Sequence, residues 1–126
     1  MSKTGLPLAQ RHITIVGLGL MGGSLALALR HKCAGITAVE IDDQARRTGL
    51  QRGAIDHATE TLSEGVKRAD LLVLATPVYV IIKLLAQLSQ LPPYSEKTLS
   101  VVDLGSTKVE ITAAMAALPG QYNCIG

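Results

Sequence analysis

The chain has 126 residues, 48% of them hydrophobic and 17% charged, with a net charge of +2. That length suits one domain, which can bury roughly two thirds of its unfolded surface and fold without disulfides or metals. The apolar content excludes a disordered chain, and the near-neutral charge gives no electrostatic footing for nucleic acid.

Residues 1–11 read as a flexible lead-in and 12–126 as the folded domain. His12 to Gly17 is a compact β-branched run, the pattern of a buried strand. After a glycine cluster, Met21 to Lys32 reads as a helix with Arg30, His31 and Lys32 in its last turn, where cations complement the dipole. Gly35 restarts the chain, Ile36 to Ile41 forms a second strand, and Asp43 to Arg52 an amphipathic helix that Gly53 caps. His57 to Ala69 holds a short strand and a short helix.

Leu71 to Ala75 is a wholly apolar strand. Thr76 as N-cap and Pro77 as first helical residue then open a helix to Leu91. Its apolar stripe is Val78, Ile81, Ile82, Leu85 and Leu88, with Tyr79, Lys83, Gln87 and Gln90 on the opposite face. Pro92 and Pro93 end it, Leu99 to Asp103 is a strand, Thr107 and Glu110 form a capping box for a helix to about Ala117, and Tyr122 to Ile125 begins one more strand. With no Phe, no Trp and three Tyr, the core rests on Leu, Ile, Val and Ala, which suits helices on a parallel sheet.

Short strands alternating with longer helices require parallel strands joined by right-handed crossovers. The expected fold is therefore α/β, a doubly wound parallel sheet of the Rossmann type in three layers, with strand order 3-2-1-4-5-6. Ile13 to Leu29 carries no charge and imitates a membrane segment, yet its four glycines fit the motif below better. No targeting or membrane segment is expected, and the location expected is the cytoplasm. Cys33 and Cys124 match no metal or disulfide pattern and read as small buried hydrophobes in a reducing compartment. No metal site is expected.

Gly17-Leu18-Gly19-Leu20-Met21-Gly22 is a GxGxxG set between a strand and a helix, the context that gives the motif meaning. Gly17 permits the tight turn, Gly19 the approach of a pyrophosphate, and Gly22 the close packing of helix on strand. Phosphates then meet the exposed amides of Leu20, Met21 and Gly22 at the positive end of the helix. Asp42, twenty residues after Gly22, is placed to meet the adenosine ribose hydroxyls, or else simply caps the next helix. Glu40 lies on the same side but farther from the expected strand end. A carboxylate there favours NAD, while Arg46 and Arg47 leave NADP open. Ala75, Thr76 and Pro77 fall at the switch point beside the first strand, where ligands bind in open sheets. Lys108 opposes the dipole of its own helix, which suits a nearby anion or else a side chain turned to water.

Ile13 to Leu27, Ala75-Thr76-Pro77-Val78 and Val101 to Lys108 together resemble the prephenate/arogenate dehydrogenases of tyrosine biosynthesis, the Gly105 to Lys108 block being the discriminating part. The resemblance implies oxidative decarboxylation of a cyclohexadienyl acid, prephenate or arogenate, with hydride passing to the nicotinamide. It implies that Ser106 lies by the nicotinamide and the substrate's ring hydroxyl; Lys108, read as the second catalytic residue, is expected to attract the carboxylate substrate. It also implies a catalytic His in a Gly-His-Pro motif after the sixth strand, a helical substrate domain, and a homodimer for the full-length enzyme. His12, His31 and His57 do not match that histidine by position, so the chain is expected to carry the cofactor half alone and to be inactive by itself. The alternatives are a β-hydroxyacid-type dehydrogenase domain, which shares the glycine motif, and a non-enzymatic NAD-sensing module on the same fold.

Overall fold

The structure is a computed structural model that describes residues 7–92, 98–104 and 109–125. Its elements in chain order are β1 (His12–Val16), α1 (Leu20–Leu29), β2 (Gly35–Val39), α2 (Asp43–Gln51), β3 (His57–Thr59), α3 (Leu62–Arg68), β4 (Leu71–Leu74), α4 (Val78–Gln90), β5 (Leu99–Asp103), α5 (Val109–Ala116) and β6 (Tyr122–Ile125). Every pairing is parallel, and the strands stand in the expected order β3-β2-β1-β4-β5-β6. The reversal of direction between β1 and β4 creates the switch point.

Strand alternation divides the core into two layers. Ile13 and Ile15 of β1, Ile36 and Ala38 of β2 and Val73 of β4 pack with Ala26 of α1 on one face. Val16, Val39, Leu72, Leu74 and Val101 pack with Leu62 and Val66 of α3, Ile81, Leu84, Leu85 and Leu88 of α4, and Met115 of α5 on the other. The only polar β1 residue in the buried run, Thr14, donates its hydroxyl to the Gly65 carbonyl at 2.9 Å, which removes the penalty of burying it. Tyr122 does the same at the far edge, its phenol donating to the Leu88 carbonyl at 2.8 Å. The two thiols are half-buried rather than fully enclosed.

Three local expectations are corrected. α1 stops at Leu29, so Arg30, His31 and Lys32 form a turn and not a last helical turn. Arg30 is extended at ψ 141° and His31 is left-handed at φ 68°, because the chain must double back for Ala34 to donate to the Arg11 carbonyl. The second strand ends at Val39, two residues earlier than expected. Pro77, not Thr76, is the N-cap of α4: it is extended at ψ 155°, its carbonyl accepts from Val80 and Ile81, and the helix begins at Val78. Gly53 does close α2, at φ 70° with its N–H on the Leu50 carbonyl. In the lead-in, Leu8–Gln10 forms a single 3-10 turn. Thr107 of the expected capping box lies outside the described residues.

Candidate nucleotide-binding site

The carboxyl ends of β1, β2 and β4 meet at one edge, and backbone bonds extend the ladder past them. Gly17 donates to Val39, Glu40 to Thr59 and Ala75 to Val16, each at 2.9 Å. The three connections that leave this edge are thereby held against one another, and each contributes one wall of a cleft.

The first wall is the glycine turn. Gly17 has φ 98°, and a Cβ there would lie 2.8 Å from the Thr76 Cγ2 and 3.1 Å from the Ala75 carbonyl oxygen. At Gly22 a Cβ would collide with the Gly17 carbonyl oxygen and press on Ala75 Cβ at 3.3 Å, so the turn closes only with glycine at both places. Gly19 differs, since a Cβ there meets nothing within 4 Å. It is the N-cap of α1, which begins with no side-chain cap and no acid in its first turn. Such a helix start presents uncompensated amides and the positive end of the dipole.

The second wall is an acid. Glu40, the first residue after β2, accepts the Leu18 N–H on Oε1 at 2.7 Å and the Asp42 N–H on Oε2 at 3.0 Å. It thus props the glycine turn from below, and the remaining lone pairs of its carboxylate are available to a ligand hydroxyl. The third wall is Ala75-Thr76-Pro77 with α4. Thr76 Oγ1 is buried and has no hydrogen-bond partner among the described residues. A buried hydroxyl without a partner is costly, which makes it a natural contact for a polar ligand.

Between them lies a cleft of about 460 Å³, a volume suited to part of a dinucleotide. Gly17 and Gly19 line it with Glu40, Glu60 and Thr76, and Val80, Leu84 and Gln87 of α4 close one side. Of the residues singled out from the sequence, Gly17, Gly19, Ala75, Thr76 and Pro77 come together here. Gly22 packs behind the turn. Leu20 and Met21 stand at the helix start and are exposed, 89% and 56%. Asp42 is also exposed, at the N-cap position of α2; it does not line the cleft, and its N–H donates to Glu40. Ser106 and Lys108 lie outside the described residues.

Sequence reasoning ranked Glu40 below Asp42 and did not find Glu60, Val80, Leu84 or Gln87 as site residues. The α4 trio had a signal, because 80, 84 and 87 follow helical spacing. Among the described residues no cluster of three or more His, Cys, Asp or Glu could hold a metal, and no helix is long and apolar enough to cross a membrane.

A six-stranded parallel sheet of this order, with a glycine cradle and an acid at the switch point, defines a Rossmann-type nucleotide-binding domain. Comparison with known proteins sharpens that class. The family described as prephenate dehydrogenase, nucleotide-binding domain, matches residues 25–126, and the chain belongs to it. Prephenate dehydrogenase of Bacillus subtilis is 35% identical over 117 residues, which is 90% of this chain but 31% of that protein. The chain therefore spans about a third of the length of the curated relative it matches. Among solved structures, prephenate dehydrogenase from A. aeolicus in complex with hydroxyphenyl propionate and NAD+ superposes with a TM-score of 0.76 at 27% identity, covering 93% of this chain and 41% of that one. Synechocystis arogenate dehydrogenase gives 0.76 at 30% identity, covering 86% and 38%.

Proposed function

We propose that the cleft takes the adenosine half of NAD, and that the domain serves an enzyme that oxidises prephenate or arogenate. The observation that carries the cofactor reading is the pairing of an open Gly19 with a buried Thr76 hydroxyl that has no partner among the described residues, across a cleft that Glu40 lines. The amides of Leu20, Met21 and Gly22 hold the pyrophosphate. Glu40, better placed than Asp42, accepts the ribose hydroxyls, and Val80, Leu84 and Leu62 give an apolar bed for the adenine. The bound nicotinamide supplies the hydride acceptor. Support for the reaction comes from family membership, which favours a cyclohexadienyl acid over the substrates of β-hydroxyacid dehydrogenases and over a purely sensing role.

Ser106 keeps the part the family resemblance gives it, at the substrate hydroxyl, and Lys108 is proposed to attract the carboxylate of the substrate. The catalytic histidine that the resemblance implies is matched in position by none of His12, His31 and His57. The working enzyme is taken as a cytoplasmic homodimer, a point that sedimentation of the complete protein tests.

Titration calorimetry with NAD, beside an assay of NADH formation from prephenate and from arogenate, tests both halves. The 126-residue chain is expected to bind NAD without turnover. Glu40→Ala should weaken NAD by about tenfold or more, the worth of a hydrogen bond to a charged group. Absence of NAD binding would overturn the cofactor reading. Failure of the complete protein to oxidise either acid would overturn the reaction.

A further inference from the structure

The ribose end of the cleft holds more negative charge than hydroxyl recognition requires. Glu40 and Glu60 both line it, and Asp43 begins the adjoining helix. A cation is close at hand, but it is held elsewhere. Arg46 of α2 donates Nη1 to the Glu40 carbonyl at 2.6 Å, and its Nη2 is shared between Asp43 Oδ1 at 3.1 Å and Glu60 Oε1 at 3.3 Å. Its side chain is only 15% exposed and does not line the cleft, although the Glu60 that grips it does. Arg47 is drawn off in the same way, to the other oxygen of Asp43.

A guanidinium is a rigid fork of five donors at fixed angles, and with three of them engaged on these oxygens this one is turned away from the cleft where a phosphate would sit. A phosphate on the 2′-hydroxyl would therefore meet the carboxylates of Glu40 and Glu60 with no cation to offset them. We propose that Glu60 is a specificity-determining residue: by pinning Arg46 outside the cleft it makes the domain discriminate against NADP. This rests on the reading that the cleft takes the adenosine ribose. The β3–α3 connection thus sets cofactor choice from outside the glycine turn and the strand-end acid.

The test is a set of NAD and NADP dissociation constants for the unmodified protein, Glu60→Gln, Arg46→Ala and the double variant. The Glu60 side chain is 65% exposed, so the substitution leaves the fold intact. Glu60→Gln should tighten NADP by roughly tenfold, equivalent to about 1.4 kcal/mol, with NAD changed by less than about twofold. Arg46→Ala alone should leave NADP as weak as before, and in the double variant most of the gain should vanish, leaving only what the loss of one cleft carboxylate gives by itself. Arg46→Gln, which keeps more of the side chain's packing, repeats the arm if the alanine variant is unstable. Glu64→Gln, whose partner is Lys67 on the same helix away from the cleft, should change neither constant.

A gain of undiminished size without Arg46 would mean simple loss of repulsion and would overturn the proposal, as would no gain in Glu60→Gln. In either case NAD binding by the unmodified protein leaves the nucleotide reading standing. If the unmodified protein binds neither dinucleotide, both readings fall together.

Discussion

Two strand-to-helix turns face each other across the cleft, and they are built on opposite principles. The β1–α1 turn presents backbone rather than side chain to the cleft: it is held shut by close contacts that only glycine permits and by the Glu40 carboxylate beneath it, and it ends in a helix start with bare amides. The β4–α4 turn is closed by Pro77, which has no N–H to offer, and passes into a helix whose Val80 and Leu84 line the cleft with apolar surface. One end of the cleft is thus suited to a phosphate and the other to a flat ring. The sheet supplies the same edge geometry to both, and what each turn can bind is decided by which atoms the sequence removes.

Substitutions within the glycine turn should separate its structural and binding roles. Gly22→Ala is expected to have the largest effect, because its Cβ would strike the Gly17 carbonyl oxygen and neither backbone can yield. A loss of ~3 kcal/mol is expected, the upper part of the overpacking range, with a fall in Tm of ~10 °C. Gly19→Ala should leave Tm within ~2 °C, since its Cβ enters open space, yet weaken NAD by about tenfold by standing where the pyrophosphate must sit. Similar Tm values for the two variants would erase the distinction.

Across the cleft, Thr76→Val replaces a buried hydroxyl that has no partner among the described residues. Stability without ligand should rise by ~1 kcal/mol, while NAD weakens by about fivefold, because the hydroxyl is buried at a cost that a ligand bond would offset. Opposite signs in a thermal melt and a binding isotherm are the expected signature. A variant that loses stability instead would show that the hydroxyl is already satisfied in the free protein.

The smallest effect concerns the thiols, which lie away from both turns. Burial pushes the Cys33 thiol up, a Gly35 hydrogen bond partly opposes this, and Asp56 adds to the rise; burial alone raises Cys124. Both should react with iodoacetamide at pH 8 more slowly than an unstructured cysteine. The fold keeps these protons longer than the unfolded chain does. Their contribution to stability is therefore whole below the ordinary thiol value of ~8.5 and is lost as pH rises through the folded values. The urea midpoint should fall less between pH 8 and 10 in Cys33→Ser/Cys124→Ser than in the unmodified protein.

The strand order and the glycine turn were legible because each rests on a local pattern: apolar runs of fixed length, and glycines whose spacing only a tight turn explains. Glu40 was passed over for a reason of register. With the second strand taken to end at Ile41, Asp42 stood at its tip, but the strand ends at Val39 and the tip residue is Glu40. A two-residue uncertainty at an element boundary is ordinary, and here it changes which carboxylate reaches the cleft. Thr76 misled in the same way, since a threonine before a proline reads as a cap until the proline's extended ψ places the cap one residue later. Glu60 and Gln87 come from connections and helix faces distant in sequence. Only the packing of α3 and α4 against the sheet brings them to the glycine turn.

The central claim is that the two turns form one dinucleotide site. Amide chemical shifts recorded on the ¹⁵N-labelled protein during titration with NAD test it most directly. The account predicts the largest shifts at Gly19, Leu20, Met21 and Gly22, with concurrent shifts at Glu40, Ile41, Thr76 and Val80, all saturating at one concentration. Shifts confined to one turn, or centred on the β3–α3 face around His57 and Arg68, would contradict it.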